Sequence, residues 1–472
     1  MANIKTYKKG VAIRLPISKH IDVNFRDYAL YVLENRGIPS FYDGLTNVQK
    51  FILQNAPSQY AKTLVLVGNC MSAGYHHGDK SLSGAINKLA RPFGCANQIL
   101  EGDGFFGSPV DHEAASPRYT SVKINRQIAD IIKENSFLNT KDEDGQWDPL
   151  WLRVPLGIAS SIVGIAVGYK TTVLPRSIED MEKYLKGDIK EIHPSFINFD
   201  GKVSRFQNLD RSWLIEGKAS VSLKKKTVNV TCLPPMMKYV SFLKKVERIK
   251  EKFEGKVSMQ NNSDNQINLS FTFRGRSRDE FNEFSKLIVN ATKMIVTETP
   301  VFVKDGGVLV YDRVEDYLDD FQYRVAELKY RRAEHYYNVT SDELEFQKAK
   351  KEYLEFMIAK KRKDTEIDKF LSKFDKKISM RLDAIRLRFL SAEEVSRTVK
   401  KIKELEAEKK KLYKEFQSLL KKFEKLKDPT ISRSQKSSKG KSVDLFDDSD
   451  FDEYDGIAIY NGDEGEDEED ED

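Results

Sequence analysis

The chain has 472 residues, 40% of them hydrophobic and 32% charged, enough for two to four domains with ordinary cores. Its formal net charge is only +5, but residues 443–472 hold 16 Asp and Glu with no Lys or Arg, so residues 1–442 carry +21 and point to a polyanionic partner. Three scattered cysteines, Cys70, Cys95 and Cys232, form no CxxC pair and read as thiols in a reducing compartment, not a zinc site; residues 1–26 lack a signal-peptide core; and Lys170 with glycines at 157, 164 and 168 argues against a membrane span in the apolar stretch 154–174.

In chain order, an N-terminal arm, 1–23, precedes two helices over 24–57 that flank a turn marked by Gly37, Pro39 and Asp43-Gly44. Residues 61–93 repeat that texture, with a break at Gly78. Tyr119 to Ile124 then alternates as a short strand or helix start, and helices with one short sheet fit a winged-helix unit ending near residue 175. From about 200 to 300 strand runs (219–223, 227–231, 267–271) alternate with helices at 237–254 and 279–292, a separate α/β module within 176–310. Residues 313–362 are almost free of Gly and Pro, and fifty helical residues extend roughly 75 Å. A second charged helix, 393–427, follows a shorter helical insert at 365–390. The pair predicts a long antiparallel coiled coil capped by a small helical globule, within 311–428. A Ser/Lys linker, 429–442, leads to an acidic tail expected to be disordered, because it has too little apolar area to offset ordering entropy. The fold class is therefore multidomain α+β.

One stretch carries chemistry. In Ala115-Ser116-Pro117-Arg118-Tyr119-Thr120 a phenol stands beside a guanidinium, about forty residues after Tyr75-His76-His77-Gly78-Asp79. A phenol of pKa about 10 is a poor nucleophile at neutral pH unless a cation and a general base assist it. Arg118 could supply the cation and a histidine the base. Together with Phe106-Gly107-Ser108, Asp27-Tyr28-Ala29, Asn35-Arg36-Gly37-Ile38-Pro39 and Asp43-Gly44-Leu45, these residues resemble the breakage-reunion half of type IIA DNA topoisomerases. The doubled histidine and the Ser-Pro-Arg-Tyr spelling lean toward the eukaryotic and phage branches. A chain this short is most similar to the medium subunits of tailed-phage enzymes.

That resemblance, covering roughly residues 24–427, implies specific roles. Tyr119 would form a 5′-phosphotyrosine bond, Arg118 would stabilise the pentavalent phosphate, and His77 and His76 would contact the scissile phosphate and handle protons. Arg36 would hold the active-site phosphate; Lys50, Lys123 and Ser116 would lie along the DNA backbone; Ile165, in Gly164-Ile165-Ala166-Val167-Gly168, would intercalate and bend the duplex. Without the resemblance, 163–167 reads as a buried strand. The family's Asp-Gly-Leu-Lys-Pro appears here as Asp43-Gly44-Leu45-Thr46-Asn47, losing a phosphate-facing lysine. The α/β module becomes the tower beside the DNA gate, and the coiled coil becomes the stalk of a dimerising exit gate.

The sequence shows no Walker-type loop and, in the folded body, no clustered Asp-x-Asp motif that reads as a magnesium site; Asp447-Asp448-Ser449-Asp450 lies in the tail. The resemblance therefore assigns Mg2+ and ATP to a partner subunit bearing Toprim and ATPase domains, with none of this chain's residues as metal ligands. It implies a homodimer through the DNA gate and C-gate that relaxes and decatenates double-stranded DNA in the cytoplasm, without a membrane. Two other readings compete: a non-catalytic dimeric architectural protein that bends and bridges DNA, and a tyrosine recombinase, which would need a dispersed Arg/His/Lys set in another order.

Overall fold

The computed structural model describes residue 17 and residues 25–33, 37–359 (apart from 142, 144, 146 and 208), 364–385, 391–431 and 458–460. Two compact units divide the chain: residues 1–322 with 429–472, and residues 323–428.

In the first unit, helix α1 (Arg26–Val32) and helix α2 (Asn47–Asn55) flank the Gly37–Leu45 turn. Thr46 starts α2 through a capping box, its hydroxyl accepting from Gln49 N while the Gln49 side chain accepts from Thr46 N. The Thr46-Asn47 departure from the family pattern thus has a structural use. Strand β1 (Ala61–Lys62) runs into α3 (Thr63–Ser72), and α4 (Asp79–Ala90) follows after Gly78. A three-stranded antiparallel sheet places β3 (Ser121–Ile124) between β1 and β2 (Leu100–Asp103). Helix α5 (Arg126–Glu134) is capped by Asn125 and buries Ile128, Ile131 and Ile132, the spacing of one helical face. Cys70 and Cys95 are buried, and burial pushes their thiols up to about 11 and about 12, so both stay protonated.

The apolar stretch 154–174 forms a short turn and then a hairpin of β4 (Ile162–Ala166) and β5 (Tyr169–Val173). Among the described residues no helix is long and apolar enough to cross a membrane. After α6 (Ile178–Lys186) come β6 (Lys202–Arg205), β7 (Ser212–Glu216), β8 (Lys218–Ser222), β9 (Thr227–Cys232), α7 (Tyr239–Lys252), β10 (Val257–Asn261), β11 (Leu269–Phe273), α8 (Arg278–Ala291) and β12 (Lys293–Thr297). One antiparallel sheet has the order β10-β11-β9-β8 and a second contains β12-β7-β6. Their shared core includes Trp213, Val228, Phe242, Phe271, Phe281, Phe284 and Ile288, and Phe284 stacks on Phe273 with centroids 5.7 Å apart.

The hairpin of β13 (Val301–Lys304) and β14 (Gly307–Val310) leads into α9 (Val314–Ala359). The first turns of α9 belong to the first unit because Tyr317, Leu318 and Phe321 are fully buried there. Tyr317 stacks on Phe302 at 3.9 Å and donates its hydroxyl proton to Phe41 O.

The expectation of a wholly disordered tail needs correction. Strand β15 (Ala458–Tyr460) adds to the edge of the second sheet in parallel with β12, pairing Met294 with Ala458, Ile295 with Ile459 and Val296 with Tyr460. An edge strand offers a row of open amides and carbonyls, and the tail's short Ala-Ile-Tyr island can satisfy them. The remainder of the tail, most of the Ser/Lys linker and nearly all of the N-terminal arm lie outside the described residues.

In the second unit, the rest of α9 runs antiparallel to α12 (Ala392–Phe423). Lys350 meets Glu394 at 2.6 Å, Lys401 meets Glu343, Lys348 meets Glu406, and Tyr330 packs on Phe423. From Lys350–Glu394 to Tyr330–Phe423 the residue number falls on α9 as it rises on α12, which fixes the direction. Helices α10 (Asp364–Leu371) and α11 (Lys376–Asp383) pack with the distal part of α9 around Phe346, Tyr353, Leu371 and Leu382. The basic residues Arg386 and Arg388 of the expected gate helix lie outside the described residues.

Candidate active site

The tyrosine turn is built on the first turn of α3. That helix has no side-chain cap, and its first amides would be orphan donors. They are taken by the tyrosine segment: Thr63 N donates to Thr120 O at 3.0 Å and Leu64 N to Pro117 O at 3.2 Å. Tyr119 N in turn donates to Ser116 O at 2.8 Å. The Thr63 and Thr120 hydroxyls are 2.8 Å apart and both residues are fully buried. Around this frame, Gly104 takes a positive φ of 108° against Tyr119 O and Thr120, where a Cβ would sit at 3.4 Å. Ser108 Oγ accepts from Val110 N and Asp111 N, and Ala115 N donates to Phe105 O. The result is a buried frame presenting Ser116, Arg118 and Tyr119 to solvent, with Tyr119 70% exposed.

The imidazoles belong to the other end of α3. Tyr75 is buried, packs edge-on against Phe51, and donates its amide to Cys70 O in the last turn. His77 rests edge-on against Tyr75 at 5.3 Å, whereas His76 is exposed. One ten-residue helix therefore carries the tyrosine turn at its N-terminus and the histidine pair at its C-terminus, with about 15 Å of helix between the attachment points.

Ile165 is presented by the β4–β5 hairpin, paired with Lys170 and 58% exposed, and Val163 two residues earlier is 43% exposed. The strand is therefore not buried as its apolar run alone suggests. Two glycines permit this packing: a Cβ on Gly37 would lie 2.3 Å from Ile165 O, and one on Gly164 would lie 1.9 Å from Gly37 O. Arg36, next to Gly37, is outside the described residues. Lys50 is half-buried on α2. Lys123 lies 2.9 Å from Glu101 and over the Tyr60 ring, so a phosphate would compete with that carboxylate for it. Asp43 in the Asp-Gly-Leu motif is fully buried, its two oxygens accepting from Leu45 N and Leu150 N. It ties the Asp-Gly-Leu turn to the segment at Leu150. Sequence reasoning missed Thr63, which carries no local signal: its significance comes from a partner 57 residues away.

His112 lies in the same loop system, against Phe93, with its carbonyl accepting from Arg91. Burial, Arg91 and Lys238 push its pKa down to about 4, against a weaker opposing pull from Asp111. The imidazole is neutral in the native state while the unfolded chain takes up a proton below about 6.5. Stability should therefore be complete above pH 6.5 and fall as pH drops toward 4, by roughly 1 kcal/mol per unit. His112→Gln should flatten that part of the profile in urea melts at pH 7 and pH 5; an unchanged slope would show that other groups carry it.

The sequence matches the family model for the A subunits of DNA gyrase and topoisomerase IV over residues 36–431, most of the chain. The protein belongs to that family. Among curated relatives, it is 28% identical over 172 residues to the DNA topoisomerase medium subunit of Enterobacteria phage T4, which covers 34% of this chain and 39% of the relative. It is 30% identical over 186 residues to the A subunit of DNA gyrase from Clostridium acetobutylicum (37% and 22% covered) and 28% identical over 183 residues to the A subunit of DNA topoisomerase 4 from Haemophilus influenzae (36% and 24%). The aligned part thus spans well under half the length of each of these relatives.

Proposed function

We propose that this chain is the DNA-cleavage and religation subunit of an ATP-dependent type II DNA topoisomerase. The observation that carries the proposal is Tyr119, 70% exposed beside exposed Arg118 on a turn fastened to a buried frame. The phenol gives its proton to a base, with His77 and His76 as the candidates on this chain. The phenolate attacks a backbone phosphorus, the bond to the 3′-oxygen breaks, and a 5′-phosphotyrosine bond forms while the departing oxygen takes up a proton. Religation reverses each step, with the phenolate as leaving group, so the phosphodiester energy is retained. Arg118 stabilises charge on the pentavalent phosphate.

Arg36, Lys50, Ser116 and Lys123 are proposed to hold the backbone, and Ile165 to wedge between base pairs. Ile165→Ala should leave the fold intact, because the side chain is largely exposed. It should reduce duplex bending, measured by end-to-end energy transfer, and slow cleavage roughly 10-fold as about 1–2 kcal/mol of apolar burial is lost. Wild-type bending by the alanine variant would remove the wedge role.

Among the described residues no three His, Cys, Asp or Glu side chains converge to hold a metal ion. Magnesium and ATP are assigned to a partner subunit with Toprim and ATPase domains, acting on double-stranded DNA in the cytoplasm. The helices and three-stranded sheet of residues 24–175 would be the winged-helix breakage-reunion domain and 176–310 the tower. Residues 311–428 would be the coiled coil and C-gate, with 429–472 as linker and tail. A homodimer is supported by α3, whose Leu64, Val65 and Met71 are about half exposed, with open space at Gly68 on the same side. The test is a detergent-quenched cleavage reaction on supercoiled plasmid, with a competent ATPase/Toprim partner and magnesium. Double-strand breaks with protein on their 5′ ends would support the proposal. Binding and bending without adduct would favour the architectural alternative.

A further inference from the structure

We infer that Thr63 and Thr120 form a positioning pair that sets where the Tyr119 phenol points, an inference that rests on the cleavage reaction proposed above. The antiparallel register of β1 with β3 pairs Ala61 with Val122 and Lys62 with Ser121. Thr63 and Thr120 are the next pair in that register, at the point where one strand turns into a helix and the other into the tyrosine turn. Here the backbone supplies one hydrogen bond, Thr63 N to Thr120 O, and the side chains supply a second, one hydroxyl donating to the other across 2.8 Å. Both residues are fully buried, so water does not compete for the hydroxyls.

The turn bearing Tyr119 has few other restraints on its orientation. Its phenol is exposed, its amide donates to Ser116 O within the turn, and Pro117 O is held by Leu64 N. A backbone ladder restrains sliding well, but the turn can still rotate about the ladder axis. The hydroxyl contact lies off that axis and resists rotation, which moves the phenol oxygen most because it is farthest out. In-line attack is sensitive to such displacement: about 1 Å of misplacement costs roughly 10²-fold in rate. Thr63 is fully buried, so its contribution is positional.

The test uses the full chain with an ATPase/Toprim partner. Thr63→Val and Thr120→Val each strand one buried hydroxyl and are expected to destabilise. The double variant Thr63→Val/Thr120→Val removes both polar groups at similar volume, and should fold with near wild-type stability. Its single-turnover rate of adduct formation at saturating DNA should still fall roughly 10- to 100-fold, with DNA affinity unchanged. Thr63→Ser retains the hydroxyl and should recover most of the rate.

Amide hydrogen exchange at Arg118 and Tyr119 gives a readout independent of catalysis, and should rise in the double variant and not in Thr63→Ser. A double variant with wild-type adduct rate and wild-type exchange overturns the inference, as does a serine variant as slow as the valine one. If the wild-type chain forms no adduct with a competent partner, the cleavage proposal fails. The exchange comparison still decides whether the pair orients the turn.

Discussion

Tyr119→Phe is expected to reduce covalent DNA adduct by at least about 10³-fold, the scale seen when a catalytic nucleophile is deleted from an otherwise intact site. The substitution removes one oxygen from a side chain that is 70% exposed, so little packing is lost. The contacts that shape the turn, Tyr119 N to Ser116 O, Leu64 N to Pro117 O, Thr63 N to Thr120 O and the Thr63–Thr120 hydroxyl pair, do not involve the Tyr119 side chain. Stability and DNA affinity should therefore stay within about twofold of wild type, an exposed substitution of this kind costing under about 0.5 kcal/mol. Arg118→Ala should instead leave a trace of cleavage, slowed roughly 10²- to 10³-fold, because in the proposed mechanism it removes charge stabilisation and not the nucleophile. The measurement is adduct yield after detergent quench, beside DNA binding by fluorescence anisotropy. Adduct persisting in Tyr119→Phe would place the nucleophile on another of the chain's 20 tyrosines.

Glu298→Ala is expected to lower stability by about 3–5 kcal/mol, the cost of stranding a buried charge. Glu298 and Arg176 are both buried and form a bidentate pair, Nη1 to Oε1 at 2.5 Å and Nη2 to Oε2 at 2.8 Å. Each carboxylate oxygen has a second donor: Leu174 N at 2.7 Å on Oε1 and Trp213 Nε1 at 2.7 Å on Oε2. Removing the carboxylate leaves a guanidinium, an indole N–H and an amide without their acceptor. The damage should extend toward the proposed wedge, since Thr299 pairs with Thr172 on β5, whose partner strand carries Ile165. Urea unfolding followed by tryptophan fluorescence checks the magnitude. A loss below about 1 kcal/mol would mean that water reaches Arg176 in the variant and replaces the carboxylate.

Features whose chemistry or periodicity is contiguous can be read from the residues alone. Arg118 and Tyr119 are neighbours, as are His76 and His77, so their pairing needs no fold to be seen. The helices α9 and α12 announce themselves by long stretches without Gly or Pro and by spaced apolar residues, since helical periodicity is a local property. Other features arise only on folding. An apolar run at 162–166 suits a buried strand equally well, and only the close backbone approach of Gly37 and Gly164 turns Ile165 outward. The tail's composition predicts disorder throughout, yet the open edge of β12 supplies hydrogen-bond partners that hold Ala458–Tyr460 as a strand. Arg176 and Glu298 are 122 residues apart, and Thr63 and Thr120 are 57 apart. Hydrogen bonds and ion pairs of this kind depend on distance in space, and a buried polar group acquires its partner only when distant segments are packed together and water is excluded.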